Sequence, residues 1–168
     1  MGQLCSGSYR KIESLPVDRQ EQIEALLDHF RNPRNRQVID PVDVTMPGGN
    51  PGCGDVVTIY FRATEDGGRL DAASFVGNGC TISQAAASVL MEMVNERRPP
   101  LEDILAMDYE DMVDHLGRET VNSRPRCATL ALGTLKAAVR RYSRNRLRVE
   151  HGLPPEPGGE DEAEEFLV

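Results

Sequence analysis

The chain has 168 residues, of which 39% are hydrophobic and 27% charged, and this composition indicates one globular domain rather than a disordered chain. Its four cysteines are too few and too far apart for a disulfide-stapled miniprotein, and we see no signal-peptide pattern, so we expect a reduced, cytoplasmic setting. No apolar run approaches the roughly 20 residues that a membrane span needs, which excludes the membrane as a partner.

The net charge of −8 is distributed unevenly. The segment from Glu156 to Val168 contains acidic residues but no basic ones. The segment from Thr120 to Val149 contains basic residues but no acidic ones. The basic stretch has little aromatic interleaving, so we expect a solvated face or a protein-docking surface there and no nucleic-acid partner. The sequence therefore predicts three regions: an N-terminal leader (1–16), a folded domain (17–150) and an acidic mobile tail (151–168).

Apolar residues at helical spacing after a cap at Asp18 predict a first helix over residues 17–30. Alternation over Ile39–Met46 suggests a short edge strand, which Pro41 and Pro47 limit. Residues 55–63 and 69–76 alternate around Asp66-Gly67-Gly68 and predict an antiparallel hairpin.

The second half of the sequence has mainly helical periodicity. A helix is predicted from Cys80-Thr81 to the residues before Pro99, short helical patterns follow over residues 101–116, and a long helix covers about 126–145. The resulting fold class is α+β, with a small antiparallel sheet of about three strands and helices packed on one face, in a single domain.

Three cysteines lie at turns or element boundaries rather than on predicted core stripes. Cys53 lies between two glycines, Cys80 follows Gly79 at a loop-to-helix junction, and Cys127 begins the last helix. Helix N-termini stabilise thiolates, and adjacent glycines let other groups approach the sulfur closely.

Asp55, two residues beyond Cys53, adds a carboxylate on the same side of an extended chain. Three thiolates and one carboxylate match the four ligands of tetrahedral zinc, and thiolates also hold iron in clusters. The spacing matches no zinc finger, so the pattern alone leaves open a metal site or three incidental thiols.

The sequence also resembles a known family in four strings, which cover about residues 17–145 in the family's order. The strings are Asp28-His29-Phe30-Arg31-Asn32-Pro33-Arg34-Asn35, Asn50-Pro51-Gly52-Cys53-Gly54-Asp55, Gly79-Cys80-Thr81-Ile82-Ser83-Gln84-Ala85-Ala86-Ala87-Ser88 and Arg126-Cys127-Ala128-Thr129-Leu130. In these it is similar to the IscU/SufU/NifU N-terminal family of iron–sulfur cluster assembly proteins.

The resemblance implies a compact α+β domain that binds zinc or an iron–sulfur cluster and works with a cysteine desulfurase. The resemblance implies that the metal ligands in this sequence are Cys53, Asp55, Cys80 and Cys127. Apo iron–sulfur proteins or downstream Suf assembly proteins would be the recipients.

The branch is suggested by the residues before the last cysteine. The IscU branch has a histidine there, whereas this chain has Arg126, which is similar to the SufU branch and favours a zinc-dependent sulfurtransferase. The segment between the second and third cysteines looks shorter than in SufU proteins, so an IscU-type scaffold for a [2Fe–2S] cluster stays open. A zinc-stabilised interaction module without transfer activity is the third reading.

Roles follow for individual residues. Cys53, on a glycine-flanked loop, is the predicted sulfur acceptor, and Cys127 takes that role in the scaffold alternative. Arg126, with Arg124 as a second candidate, is predicted to offset the negative charge of the four ligands. His29 is expected to be structural, and Cys5 is expected to have no role.

Overall fold

The computed structural model describes residues 18–157. The first helix, α1, spans Arg19–Arg31, within two residues of the predicted bounds. Asp18 caps it, as predicted, because its carboxylate accepts a hydrogen bond from the Gln20 N–H at 3.3 Å. The predicted leader (1–16) and Cys5 lie outside the described residues.

Three strands form one antiparallel sheet in the order β1-β2-β3: β1 spans Val44–Asn50, β2 spans Asp55–Ala63 and β3 spans Leu70–Asn78. The predicted hairpin of β2 and β3 is confirmed, with Ile59 opposite Phe75 near its centre. β2 shows the expected alternation, since its residues are buried at every second position.

The first strand differs from the prediction. It begins at Val44 rather than Ile39 and continues past Met46 through Pro47, Gly48 and Gly49. Pro47 lies opposite Thr58 in the register, and the missing N–H is tolerated because β1 is at the edge of the sheet. A Cβ at Gly48 would overlap the side chain of Thr134, so the glycine permits close packing that the pattern could not indicate.

The remaining helices follow the sheet. They are α2 (Thr81–Arg97), α3 (Leu101–Ala106), α4 (Tyr109–Leu116), α5 (Arg118–Val121) and α6 (Pro125–Glu150). α6 extends five residues beyond its predicted end at 145, as a basic helix that ends before Gly152, which has φ of +73°. Every helix within residues 18–157 is too short or too polar to cross a membrane.

Helices α2 and α6 pack on the same face of the sheet, where Ile59, Phe61 and Phe75 are fully buried. On the other face Val56 is exposed and Thr58 and Tyr60 are half-buried. The α+β class with helices on one face is therefore confirmed.

His29 has the structural setting that the sequence suggested. It is buried near the end of α1, and its Nδ1 atom forms a 2.8 Å hydrogen bond with the hydroxyl of Ser88 on α2. The same hydroxyl accepts a bond from the Arg34 N–H at 2.8 Å. This contact ties α1 and the segment after it to α2.

Candidate metal centre

The residues of the predicted site meet at one end of the sheet. The four-residue turn between β1 and β2 brings Cys53, the junction of β3 with α2 brings Cys80, and the first turn of α6 brings Cys127. Asp55 is the first residue of β2 and points to the core side of the sheet. Ligands that are far apart in sequence are thus placed side by side by the topology.

Cys53 is the exposed member of the group. Its backbone N–H and that of Gly54 both donate to the Asn50 carbonyl, at 3.1 and 2.9 Å, which closes the turn. Gly54 has a φ of +68°, a conformation that favours glycine. The turn therefore holds the Cys53 thiol at the surface on a short backbone loop rather than within a helix or strand.

Asp55 is only 2% exposed, and its carboxylate is held by the opposite loop. Oδ1 accepts a hydrogen bond from the Cys80 N–H at 2.8 Å, and Oδ2 lies 3.6 Å from the Cys80 sulfur. A Cβ at Gly79 would lie 2.6 Å from Oδ1, so the carboxylate reaches this position only beside a glycine.

Cys80 is the N-cap residue of α2. Its sulfur accepts a hydrogen bond from the Ser83 N–H at 3.4 Å, and the Ser83 hydroxyl donates to the Cys80 carbonyl at 3.0 Å. The thiol therefore takes the place of the serine or aspartate that usually caps a helix, next to the positive end of the helix dipole.

Cys127 is 1% exposed and lies deepest of the three cysteines. Its sulfur is 3.4 Å from the Cys53 sulfur, and the side-chain amide of Asn50 donates to it at 3.6 Å. Asn50 is itself buried, and it was not singled out from the sequence although it begins the string around Cys53. It links the β1 end of the turn directly to the deepest ligand.

Three of the four predicted ligands form a group that could hold a metal ion. One ligand atom each from Cys53, Asp55 and Cys127 lies within 4.8 Å of the others. The Cys80 sulfur lies outside this group of three and contacts it through Asp55 Oδ2 at 3.6 Å. Zinc–sulfur bonds of about 2.3 Å place adjacent sulfurs of a tetrahedral site about 3.8 Å apart, close to the observed 3.4 Å between Cys53 and Cys127. Sulfur-rich ligand sets of this kind suit zinc and iron–sulfur clusters alike.

The site has unusual proton affinities. Burial raises the pKa of Cys127, and the hydrogen bonds with Asp55, Cys53 and Cys80 raise it further. Burial also acts to raise the pKa of Asp55, but hydrogen bonds from Cys127, Cys80 and Ser83 outweigh it and leave that pKa below its ordinary value. A proton is thus retained on sulfur while the carboxylate is charged, and a bound cation would replace that proton.

Of Arg124 and Arg126, it is Arg124 that lies near the charges of the candidate ligands. The pKa of Arg124 is raised, first by its hydrogen bond with Cys80 and then by the charges of all three cysteines. The side chain of Arg126 instead lines a groove between β1 and α6. These charges favour Arg124 for charge balance, and the role predicted for Arg126 stays a prediction.

The sequence of residues 21–149 matches the model of the NifU-like N terminal domain. The chain belongs to this family. Among its relatives, the iron–sulfur cluster assembly scaffold protein IscU of Aquifex aeolicus is 32% identical over 147 residues, which cover 86% of this chain and 92% of that protein. The zinc-dependent sulfurtransferase SufU of Bacillus subtilis is 31% identical, with 69% and 87% covered.

Solved structures support the fold of this family member. The crystal structure of a nitrogen-fixing NifU-like protein (N-terminal) from Brucella abortus matches with a TM-score of 0.61 at 16% identity, covering 72% of this chain and 93% of that one. Both IscU and SufU proteins are among the relatives, so the family is established and the favoured SufU-like branch remains a prediction.

Proposed function

We propose that this protein serves iron–sulfur cluster assembly as a zinc-binding sulfur carrier in the cytoplasm. In this proposal Cys53, Asp55, Cys80 and Cys127 hold zinc, and Cys53 receives sulfur from a cysteine desulfurase. The observation that carries it is the contrast in access: Cys53 is exposed on a four-residue turn, whereas Cys127 is buried and Cys80 caps a helix. Only the exposed thiol among the three presents its sulfur directly to a docked donor.

The transfer is a thiol exchange. The Cys53 thiolate attacks the outer sulfur of the persulfide carried by the donor cysteine, the donor's sulfur–sulfur bond breaks, and its electron pair leaves on the donor thiolate. A new persulfide forms on Cys53, and neither an oxidant nor a reductant is consumed. Bound zinc would supply deprotonated cysteines at neutral pH.

The other residues position Cys53 for this attack. Asn50 closes the turn through its carbonyl and binds the Cys127 sulfur through its side-chain amide. These two contacts hold the turn that carries Cys53 against the buried Cys127. Asp55 is anchored by the Cys80 N–H, and Arg124 offsets the negative charge of the thiolates. The recipients in this proposal are downstream Suf assembly proteins or apo iron–sulfur proteins.

The second candidate is a scaffold on which a [2Fe–2S] cluster is built and passed on. It is favoured by the name of the Aquifex relative and by the 3.4 Å between the sulfurs of Cys53 and Cys127, which places two thiols together for one cluster. Cys127 would then be the acceptor. The cluster is the cargo in this alternative, and zinc has no working role.

Metal analysis separates the two candidates. The protein is purified with and without air, and zinc, iron and sulfide are measured alongside the visible spectrum. A carrier contains about one zinc per chain, in line with one four-ligand site, and has no visible absorption. An oxygen-sensitive, coloured protein with iron and sulfide would support the scaffold, and a protein that holds neither would contradict both.

A further inference from the structure

Cys53 and Cys127 form a close pair of thiols at the candidate metal centre. Their sulfur atoms are 3.4 Å apart, although the two residues are 74 positions apart in the sequence. Reacting atoms that a protein holds ready for attack are about 3–3.5 Å apart. The Cys80 sulfur lies outside the group that these two thiols form with Asp55. Of the three cysteines within the described residues, Cys127 is therefore the one placed to react with Cys53.

The two thiols differ in their access to solvent. Cys53 is exposed on the turn after β1, whereas Cys127 is 1% exposed in the first turn of α6. The side-chain amide of Asn50 donates to the Cys127 sulfur at 3.6 Å. The Cys127 sulfur is thus shielded from external reagents but held at a fixed position beside Cys53. A group that reaches the site from solvent meets Cys53 first.

The positions of the two sulfurs decide which atom of a Cys53 persulfide Cys127 can attack. In thiol exchange the attacking, attacked and leaving sulfurs lie nearly on one line. The inner sulfur of the persulfide is the Cys53 sulfur itself, which lies 3.4 Å from that of Cys127. The line from the buried Cys127 to the exposed Cys53 continues toward solvent, so the outer sulfur is in the place of the leaving atom. For attack on the outer sulfur, that atom would have to turn inward, toward Asn50 and Asp55.

We propose that Cys127 is a resolving thiol, which expels the sulfur carried by Cys53 as sulfide. The proposal rests on the proposed function, which brings that sulfur to Cys53. The Cys127 sulfur attacks the Cys53 sulfur, a Cys53–Cys127 disulfide forms, and the bond to the outer sulfur breaks. The electron pair of that bond leaves on the outer sulfur, which takes up the Cys127 proton and departs as hydrogen sulfide. The outer sulfur is reduced and the two thiols are oxidised, so a single turnover needs no other reductant.

The disulfide can form with a small movement of the turn. A sulfur–sulfur bond is about 2.05 Å long, so the two atoms must approach each other by about 1.4 Å from the observed separation. A Cβ at Gly54 would meet no atom within 4 Å, and one at Gly52 would meet only an ordinary contact at 3.5 Å. The turn around Cys53 is therefore loosely packed, whereas Cys127 is fixed in a helix. We expect the turn to move and α6 to stay in place.

The reaction depends on whether the Cys127 sulfur is free. A metal ion held by the candidate ligands would engage this sulfur and withhold it from attack. The persulfide on Cys53 is then kept for transfer to another protein. Loss of the metal frees Cys127, and the same sulfur is released as sulfide. The pair would thereby choose between carrying sulfur and supplying sulfide.

The first test uses a coloured leaving group in the place of the outer sulfur. Full-length, chelator-treated Cys5→Ser protein is mixed, without oxygen, with less than one equivalent of dithiobis(nitrobenzoic acid), which links one nitrobenzoate thiol to Cys53 and releases the other. Attack by Cys127 releases the second, so we expect two coloured thiolates per reagent molecule and a Cys53–Cys127 link in the peptide map. A single release per reagent molecule, or a link from Cys53 to Cys80, overturns the proposal.

A variant without the resolving thiol is the comparison. Cys127→Ser should slow the second release at least about tenfold, because attack within one chain has a high effective concentration. If Cys127→Ser does not fold, Cys127→Ala takes its place. The rate of the second release in the Cys127 protein should also be independent of protein concentration. An equal rate with and without Cys127 contradicts the resolving role.

The second test uses sulfur itself. Chelator-treated protein is loaded with a cysteine desulfurase and cysteine, separated from both, and followed for sulfide and for disulfide. We expect one sulfide for each Cys53–Cys127 disulfide, whereas Cys127→Ser should keep the extra sulfur on Cys53. A persulfide that stays on Cys53 in the metal-free wild type overturns the inference and leaves the proposed function standing. If no sulfur reaches Cys53 even in Cys127→Ser, the proposed function fails, and the release of the coloured thiolate decides the resolving role.

Discussion

Gly79 and Asp55 are packed so closely that a Cβ on the glycine would lie 2.6 Å from the Asp55 Oδ1 atom and 2.9 Å from the Asp55 Cγ atom. Gly79 comes just before Cys80, whose N–H holds the same carboxylate at 2.8 Å. A loop and a strand that are 24 residues apart in sequence are thereby joined at the only oxygen ligand of the candidate site. A glycine is required here because a side chain has no room. Its backbone conformation is not the reason, since its φ is not in the left-handed region.

Replacing this glycine is therefore expected to displace Asp55. Gly79→Ala should lower zinc retention and destabilise the protein by about 1–3 kcal/mol, the usual cost of overpacking a tight site. Gly52→Ala is the matched control, because its Cβ would meet only an ordinary contact at 3.5 Å. Zinc per chain and urea unfolding measure both effects, and equal metal content in the two variants would show that the contact does not position the carboxylate.

The two arginines before Cys127 are expected to differ. Arg124→Gln removes the guanidinium whose pKa is raised by Cys80 and the other two cysteines, whereas Arg126→Gln removes one that lines the groove. We expect Arg124→Gln to weaken zinc affinity about tenfold, within the range found when a group that supports metal ligands is lost. Competition with a chelator measures this. A larger loss in Arg126→Gln would return the charge-balancing role to Arg126.

Stability is expected to depend on pH through His29. Burial is the main cause that lowers its pKa from the ordinary 6.5, and the charge of Arg34 adds to it against the opposing effects of Glu92 and Asp28. The unfolded chain therefore takes up the proton first as the pH falls through 6.5, so the contribution of neutral His29 is full above 6.5 and is lost toward the lower pKa of the folded state.

His29→Gln should remove this part of the pH dependence. It should also cost about 1–3 kcal/mol at neutral pH, because the Ser88 hydroxyl loses the His29 ring nitrogen and keeps only the Arg34 N–H of these two partners. Urea unfolding at one pH above and one below 6.5 measures how the free energy of unfolding changes with pH. The control is His151→Gln, since His151 is exposed. A slope that is the same in His29→Gln as in the wild type would exclude His29 as its origin.

Zinc is expected to stabilise the folded state. A metal that binds only the folded chain adds about 2.7 kcal/mol at a free concentration one hundred times its dissociation constant. The melting temperature should therefore fall on chelation and recover with zinc, and Cys127→Ser should abolish the difference whereas Cys5→Ser should not. If chelation leaves the wild-type melting temperature unchanged, zinc does not occupy this site.

The sequence predicted the elements with strong periodicity and most of the residues that the fold brings together at the candidate site. The β2–β3 hairpin has clean alternation, and the stripes of α2 and α6 follow from their core-facing residues. β1 was misplaced because Pro47, Gly48 and Gly49 have no intrinsic strand preference. They are extended because they pair with β2. Gly48 suits this place because Thr134 leaves no room for a side chain there.

The geometry of the site could be predicted only in part. The four candidate ligands can be recognised in the sequence by residue type. The contact of the buried Asn50 amide with Cys127 cannot, because it depends on how the turn after β1 closes. The same holds for Arg124 and Arg126, which are two residues apart and face different surfaces because Arg124 precedes α6 and Arg126 lies in its first turn. Residues 153–157, at the start of the predicted mobile tail, form hydrogen bonds with α6 that the sequence pattern does not predict. The remainder of the predicted tail (158–168) lies outside the described residues.

Locating the transferred sulfur tests directly whether Cys53 is the acceptor. The zinc-loaded protein is incubated with a cysteine desulfurase and cysteine, and intact mass followed by peptide mapping finds the added atom. We expect one extra sulfur on the peptide that contains Cys53, absent in Cys53→Ser and present in Cys5→Ser. Sulfur on Cys127 in the wild type, or unchanged loading of Cys53→Ser, would contradict it.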